Sequence, residues 1–497
     1  MPEIVLDRPL TPGQVCDVAR RKYPLRLSEA ARARLKKANQ RLRILVNGEA
    51  AAYGLNTGVG GLSDTRITPE KQSVLSRKIL FSHATGVGQP LSSEQTRAIM
   101  ACAVNQYCLG YSGLREEIVD RLVALLKHDC LPIVPRDGSV GYLTHMAHIA
   151  LALTGYGELQ CGNNIRRPAA LVLQDLGFAP LILEAKEGLC LVNGLSCVTG
   201  IACLVMEDAW VCLDWANRIA TACFDILGGQ QTAFDPRSAA LRMMPGHRDI
   251  SHYMNENLAG SIHIARAAGQ RTQDALSLRA IPHIHGSIHD ALRNIMETVT
   301  QELESLSDNP AIMEDESGIG AFSQAHAVGA SMARVMDEAA IALASLGAIS
   351  ERRLDRMVNP LTSPFAPFLS SDSGTGSGFM IAQYTASSLT GANRRLGAPA
   401  CLDGGITSGL QEDILVHATP AALKAADVVR NTRTILGIEL LALCQAMDLA
   451  GLVDEVSPST RALYTAVREQ VPFYEEDHPL SDDMMHISGW MKTQPPG

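Results

Sequence analysis

Residues 198–227 read VTGIACLVMEDAWVCLDWANRIATACFDIL. This stretch has helical periodicity and is apolar nearly all round, the pattern of a helix buried inside a bundle rather than lying on a surface. Three- and four-residue apolar spacing recurs over residues 28–50, 92–110, 114–128, 286–306, 324–351 and 420–450. Strand-like runs are few and short, such as 181–183 and the opening EIVL. The pattern therefore predicts an all-α protein built on long helices.

Composition agrees. Of the 497 residues, 46% are hydrophobic, enough for a large core, and only 4% are aromatic, which suggests Ala/Leu-packed helices rather than sheets. A net charge of −9 and the lack of a Lys/Arg run argue against a phosphate-binding face, so no nucleic-acid partner is expected. The 12 cysteines are scattered without Cys-x-x-Cys pairs, as reduced buried thiols would be, and no metal site is expected from them. The opening MPEIVLDRPL lacks the pattern of a signal peptide. No apolar run is expected to reach the ~18–20 residues of a membrane span, so no membrane partner and a cytoplasmic location are expected. Glycine-rich breaks at 54–61, 137–141, 373–378 and 404–409 are candidate site walls, because glycine allows tight turns and close ligand approach. The acidic tail EEDHPLSDD (475–483) reads as a solvated segment.

Several short stretches carry chemistry. They are Tyr53-Gly54-Leu55-Asn56-Thr57-Gly58, Ser82-His83-Ala84-Thr85-Gly86, Leu191-Val192-Asn193-Gly194, Gln273-Asp274-Ala275-Leu276-Ser277-Leu278-Arg279, Ser307-Asp308-Asn309-Pro310, Gly320-Ala321-Phe322-Ser323 and Gln411-Glu412-Asp413. Together they resemble the histidine and aromatic amino acid ammonia-lyases over nearly the whole chain. The resemblance implies an ammonia-lyase/fumarase-like long-helix bundle. Its loop-bearing N-terminal domain would span residues 1–195, with the central bundle and C-terminal helical part over 196–497. It also implies a homotetramer with active sites shared between chains.

Roles follow residue by residue. Tyr53 is expected to remove the substrate β-proton from a loop that closes over the site. His83 stands in the Ser-His-Ala-x-Gly segment of the histidine-specific branch, where a neutral imidazole can bind a substrate ring nitrogen. Asn193 and Arg279 are expected at the amino-acid end of the substrate, Arg279 as a bidentate carboxylate clamp, with Gln273 as a further substrate-binding residue. Phe322 would wall the pocket, and Glu412 would pair with a cationic or N–H-bearing group.

One departure governs the functional reading. Residues 134–158 read VPRDGSVGYLTHMAHIALALTGYGE. In the family, a Gly-Ser-Val-Gly-like run leads into Ala-Ser-Gly, which cyclises to a methylidene-imidazolone that captures the substrate amine. Here Gly141 runs straight into Tyr142, and Leu276, Ala321 and Ser323 replace the family's Tyr, Asn and His. A quaternary trimethylammonium has no lone pair to give an electrophile and leaves as neutral trimethylamine without one. The pattern therefore resembles the ergothionase branch, which splits ergothioneine, the betaine of thiol-histidine, into thiolurocanate and trimethylamine. No methylidene-imidazolone, nucleotide or metal is expected on this reading. Tyr142, Phe322 and Tyr384 are candidates for cation–π contact with the leaving group. Two other readings stay open. One is a histidine or aromatic amino acid ammonia-lyase whose Ala-Ser-Gly-derived group stands between Gly141 and Tyr142. The other is an inactive relative serving as a binding subunit. The expected substrate is a small imidazole or thioimidazole amino acid, as His83 implies.

Overall fold

The computed structural model describes residues 2–47, 53–162, 165–316, 318–372 and 374–494. It is 61% helix and 8% strand, an all-α architecture dominated by long helices. The longest are Ser196–Ile226, Ile281–Glu304, Ala330–Val358 and Ala418–Ala450, of 31, 24, 29 and 33 residues. The helical period read from the sequence reappears in each. The expected helix at 28–50 runs Glu29–Val46, started by Ser28, whose hydroxyl accepts the Ala31 N–H; residues 48–50 lie outside the described residues. The helix expected from residue 324 begins only at Ala330. The Asn309 side chain accepts the Gln324 N–H at 2.6 Å and fixes that segment as loop.

Among the described residues the strands form only two- and three-stranded sheets. Ile4–Leu6 pairs in parallel with Leu25–Leu27, as the opening EIVL suggested, whereas residues 181–183 form no strand. Leu181 and Leu183 are buried there as loop residues.

Two compact units are resolved, and neither is a single stretch of chain. The first comprises Met1–Val205, Met296–Asp337 and Pro399–Leu423; the second comprises Met206–Ile295, Glu338–Ala398 and Lys424–Gly497. This differs from the division at 195/196 expected from sequence. The reason is that the helix Ser196–Ile226 is continuous, so there is no linker at which the chain could part. The expectation that no apolar run reaches the length of a membrane span also needs correcting. The stretch Glu187–Ile226 is long and apolar enough to cross a membrane by composition, and its most apolar part is wholly buried inside the protein.

In the first unit, the helix Ser93–Cys108 is buried on every face from Thr96 to Cys108. It starts with a capping box, Ser92 and Gln95 each satisfying the other's backbone N–H. The short helix Glu187–Val192 crosses Pro69–His83 at Gly188, where a Cβ would lie 2.1 Å from the Ser76 carbonyl oxygen. Only glycine allows that approach, which packs the two helices closely together.

In the second unit, Arg353 and Glu439 form an ion pair at 2.6 Å with both side chains fully buried. Ser350 and Cys223 also donate to the Glu439 carboxylate. Replacing Arg353 by Met would strand a buried carboxylate, a change that typically costs about 3–5 kcal/mol. The expected outcome is a large fall in the urea unfolding midpoint, substantially recovered when Glu439 is replaced by Leu as well. An unchanged midpoint in Arg353→Met would contradict this account.

Candidate active site

The Tyr53 loop is rooted in the core and open at its tip. Leu55 is buried in a cluster with Leu42 and Ile312. Gly58 and Ile67 N–H groups close the loop on Thr65 and Asn56 carbonyls at 2.9 Å each. The Tyr53 phenol oxygen accepts the Gly60 N–H at 3.1 Å. Gly61 donates to Ser408 Oγ at 3.2 Å, and a Cβ on Gly60 would stand 2.4 Å from the same oxygen. Two of the glycine-rich breaks, 54–61 and 404–409, therefore meet each other. Close approach at their contact is what their glycines permit.

The Gly138–Thr144 turn forms the next wall. Leu143 takes φ 70°, ψ −74°, and the Thr144 N–H reaches back to the Tyr142 carbonyl at 3.0 Å. This is a γ-turn of the rare, strained hand, uncommon for any non-glycine residue and of order 1–3 kcal/mol in cost. Ser139 Oγ donates to the Tyr142 carbonyl at 3.1 Å and accepts the Gly141 N–H at 3.3 Å. The turn directs the Tyr142 phenol to Glu412, where it donates to Oε2 at 2.9 Å. Thr407 Oγ1 donates to the same oxygen at 3.1 Å, and the Thr407 and Glu412 backbones are bridged as an antiparallel pair. Burial, reinforced by the Glu412 carboxylate and by Tyr53, holds the Tyr142 phenol well above its ordinary pKa. It is a proton donor at this site.

His83 ends the helix Pro69–His83 and is half-buried. Its Nδ1 lies 2.9 Å from Ser82 Oγ. The segment that follows is pinned by the Gly86 N–H, which donates to His148 Nε2 at 3.1 Å. Burial lowers the His83 pKa below 6.5, against an upward pull from the Ile79 backbone and the Glu412 carboxylate. Glu412 thus acts on both His83 and Tyr142. Asn193 is buried nearby along the chain path, since the Leu143 N–H donates to the Val192 carbonyl at 2.9 Å. Its amide nitrogen donates to the Asn309 carbonyl at 2.9 Å and to Asp308 Oδ1 at 3.4 Å. Asp308 in turn pairs with Lys186 at 2.8 Å, both side chains fully buried.

Of the residues singled out from sequence, the first unit brings Tyr142 and His83 to the Glu412 carboxylate, with Tyr53 acting on Tyr142 and with Asn193 fixed by the Ser307–Asn309 segment. Phe322 ends the hairpin Ala311–Asp315/Gly318–Phe322 and is exposed, while Ala321 packs against the Leu42–Leu55–Ile312 cluster. The second unit holds the others. Gln273 and Arg279 line a cleft of ≈ 490 Å³ together with Asp274, Leu276 and His283. Arg279 Nε donates to the Asp274 carbonyl at 3.0 Å. Tyr384, on the helix Met380–Leu396, is 64% exposed and is absent from that cleft's lining. Sequence reasoning missed Thr407, Lys186 and the strained Leu143. The glycine-rich 404–409 loop was a signal for the first of these; a lone lysine or leucine gave none.

A model of aromatic amino acid lyases matches residues 10–469. The chain belongs to that family of carbon–nitrogen lyases. Histidine ammonia-lyase of Deinococcus radiodurans is 37% identical over 491 residues, 98% of this chain and 93% of that protein. Tyrosine aminomutase from Streptomyces globisporus superimposes with a TM-score of 0.93 at 30% identity, covering 99% of this chain and 97% of that one. Ergothionase from Treponema denticola, solved with desmethyl-ergothioneine sulfonic acid, gives 0.91 at 27% identity, covering 99% of each chain. Gly141 is followed directly by Tyr142, and Leu276, where the family resemblance has tyrosine, is a 63% exposed leucine.

The electrostatics are testable. A negative neighbour favours imidazolium, so Glu412→Gln should lower the His83 pKa further. Histidine-labelled NMR titration, with a His83→Asn sample for assignment, reads it; an unmoved or raised value would refute the coupling. Because the folded pKa lies below the unfolded one, the contribution of His83 to stability is present above about pH 6.5 and is lost as pH falls toward the folded value.

Proposed function

We propose that this lyase eliminates trimethylamine from ergothioneine to give thiolurocanate, without a methylidene-imidazolone. The observation that carries the reading is the direct Gly141–Tyr142 peptide, with the Tyr142 hydroxyl bonded to Glu412 beside the Tyr53 loop. An amine that is already quaternary needs a base, a ring-binding group and a carboxylate clamp, and it needs no electrophile. The overlay on ergothionase across 99% of both chains supports the same reading.

In this mechanism Tyr53 takes the β-proton, whose electrons become the Cα–Cβ double bond while the Cα–N pair leaves with trimethylamine. The phenol oxygen of Tyr53 is already an acceptor, from Gly60 N–H, which is the polarity its phenolate requires. His83, neutral by burial, binds the thioimidazole with Glu412 beside it. Preorganised groups of this kind stabilise charge that builds on the ring in the transition state. Arg279 and Gln273 hold the carboxylate, supplied by another chain of a homotetramer, with Asn193 completing that end. Tyr142, Phe322 and Tyr384 present ring faces to the cation.

A second reading, histidine ammonia-lyase, is favoured by the names of the relatives that are 37% identical over nearly the full chain. It requires removal of a poor leaving group without the Ala-Ser-Gly sequence. Side-by-side assay separates the two. Trimethylamine and thiolurocanate are expected from ergothioneine; urocanate and ammonia from histidine, with no trimethylamine, would refute the first reading. Tyr53→Phe should lower turnover by ~10²–10⁴, the usual contribution of a general base, while substrate affinity stays close to that of the wild type. Full activity in that variant would exclude Tyr53 as the base.

A further inference from the structure

We propose that Tyr142 is a positioning residue which, with Thr407, locks one oxygen of Glu412 so that the other is presented to the substrate ring. The inference rests on the elimination reading for what the ring does, and on geometry alone for what Tyr142 does.

The geometry is asymmetric. Tyr142 Oη and Thr407 Oγ1 both donate to Oε2, at 2.9 and 3.1 Å, and among the described residues no hydrogen bond reaches Oε1. A carboxylate held by two donors on one oxygen cannot rotate freely, so its second oxygen has a defined direction. The stem is fixed as well, because the Thr407 N–H and the Glu412 carbonyl are bonded at 2.9 Å. On the other side, the phenol is aimed by the γ-turn at Leu143 and by Ser139 on the Tyr142 carbonyl. That turn is the segment in which Gly141 runs straight into Tyr142, and its phenol is the one that reaches Glu412.

The same arrangement divides labour between two tyrosines. Tyr53 accepts a hydrogen bond at its phenol oxygen, whereas Tyr142 donates from its own. Tyr142, whose phenol is held protonated by burial and by Glu412, does not compete with Tyr53 for the substrate proton. Its ring face remains available to a cation while its hydroxyl is committed to the carboxylate. The open Oε1 is suited to a ring N–H, the group that a neutral His83 alone would leave half recognised.

A double-mutant cycle on the full-length protein tests this, using Tyr142→Phe, Glu412→Gln and the combination, with the folded state of each checked by circular dichroism. Removing the hydroxyl leaves more of the Glu412 charge to act on His83, so Tyr142→Phe should raise the His83 pKa measured by NMR. In the Glu412→Gln background the same change should do nothing. Thr407→Val removes the other donor and should shift His83 in the same direction, which covers the case of a poorly folded Tyr142→Phe. With whichever substrate the wild type turns over, kcat/KM should fall about tenfold in Tyr142→Phe, as for loss of a hydrogen bond to a charged group, and stay level in the Glu412→Gln background. Unmoved His83 titration, or equal effects in both backgrounds, would overturn the inference. Ammonia release from histidine would refute the elimination reading while leaving the NMR cycle to decide the role of Tyr142.

Discussion

The buried Lys186–Asp308 ion pair holds the first unit's site in register. Both side chains are fully out of water, so their desolvation has to be offset by geometry and by further hydrogen bonds. Those bonds are present: Lys186 also donates to the Ser112 carbonyl at 2.9 Å and to Cys190 at 3.0 Å. Burial alone would lower the Lys186 pKa, and the charge of Asp308 and the neighbouring Cys190 more than reverse it, so the ammonium persists. Asp308 spends its other oxygen on Asn193 and on its own neighbour's N–H, while Ser307 bonds Leu195 N–H and Gln106. One pair thus ties the end of the helix Glu187–Val192, the start of Ser196–Ile226 and the Ser307–Asn309 segment. Lys186 adopts φ 65° to make this possible, a backbone state that lysine rarely takes.

From that frame the site is built on loops, each pinned by a different device. Leu55 anchors the Tyr53 loop by burial, Gly61 meets Ser408 by close backbone approach, and His148 catches Gly86. The Tyr142 turn is pinned by strain and by Ser139. Rigid roots with open tips suit a site in which one loop closes over substrate. Glu412 stands where these loops converge, and its charge is felt by both His83 and Tyr142. The imidazole is kept neutral by burial against the pull of that carboxylate, and the phenol is kept protonated by burial and the carboxylate together.

The departures from the family pattern also make physical sense together. Ala321, where the resemblance has Asn, packs with the apolar cluster under the Tyr53 loop. Leu276, in place of tyrosine, is largely exposed in the cleft of the second unit. Neither side chain can donate or accept a hydrogen bond.

Much of this was legible in the chain itself. Helical periodicity over residues 198–227 and 420–450 determined long helices, because a buried helix must be apolar at every face and period is a local property. The motif stretches around Tyr53, His83 and Glu412, and the missing Ala-Ser-Gly, identified the family and the place of its departure. What only the tertiary structure decided was partnership. Tyr142 and Glu412 are 270 residues apart, and Asn193 and Asp308 are 115 apart. No local pattern encodes which hydroxyl reaches which carboxylate, nor that the Asn193 amide nitrogen is already engaged. The compact units differ from the division at 195/196 for the same reason: a unit depends on which distant segments pack together, and the continuous helix Ser196–Ile226 belongs in part to each unit.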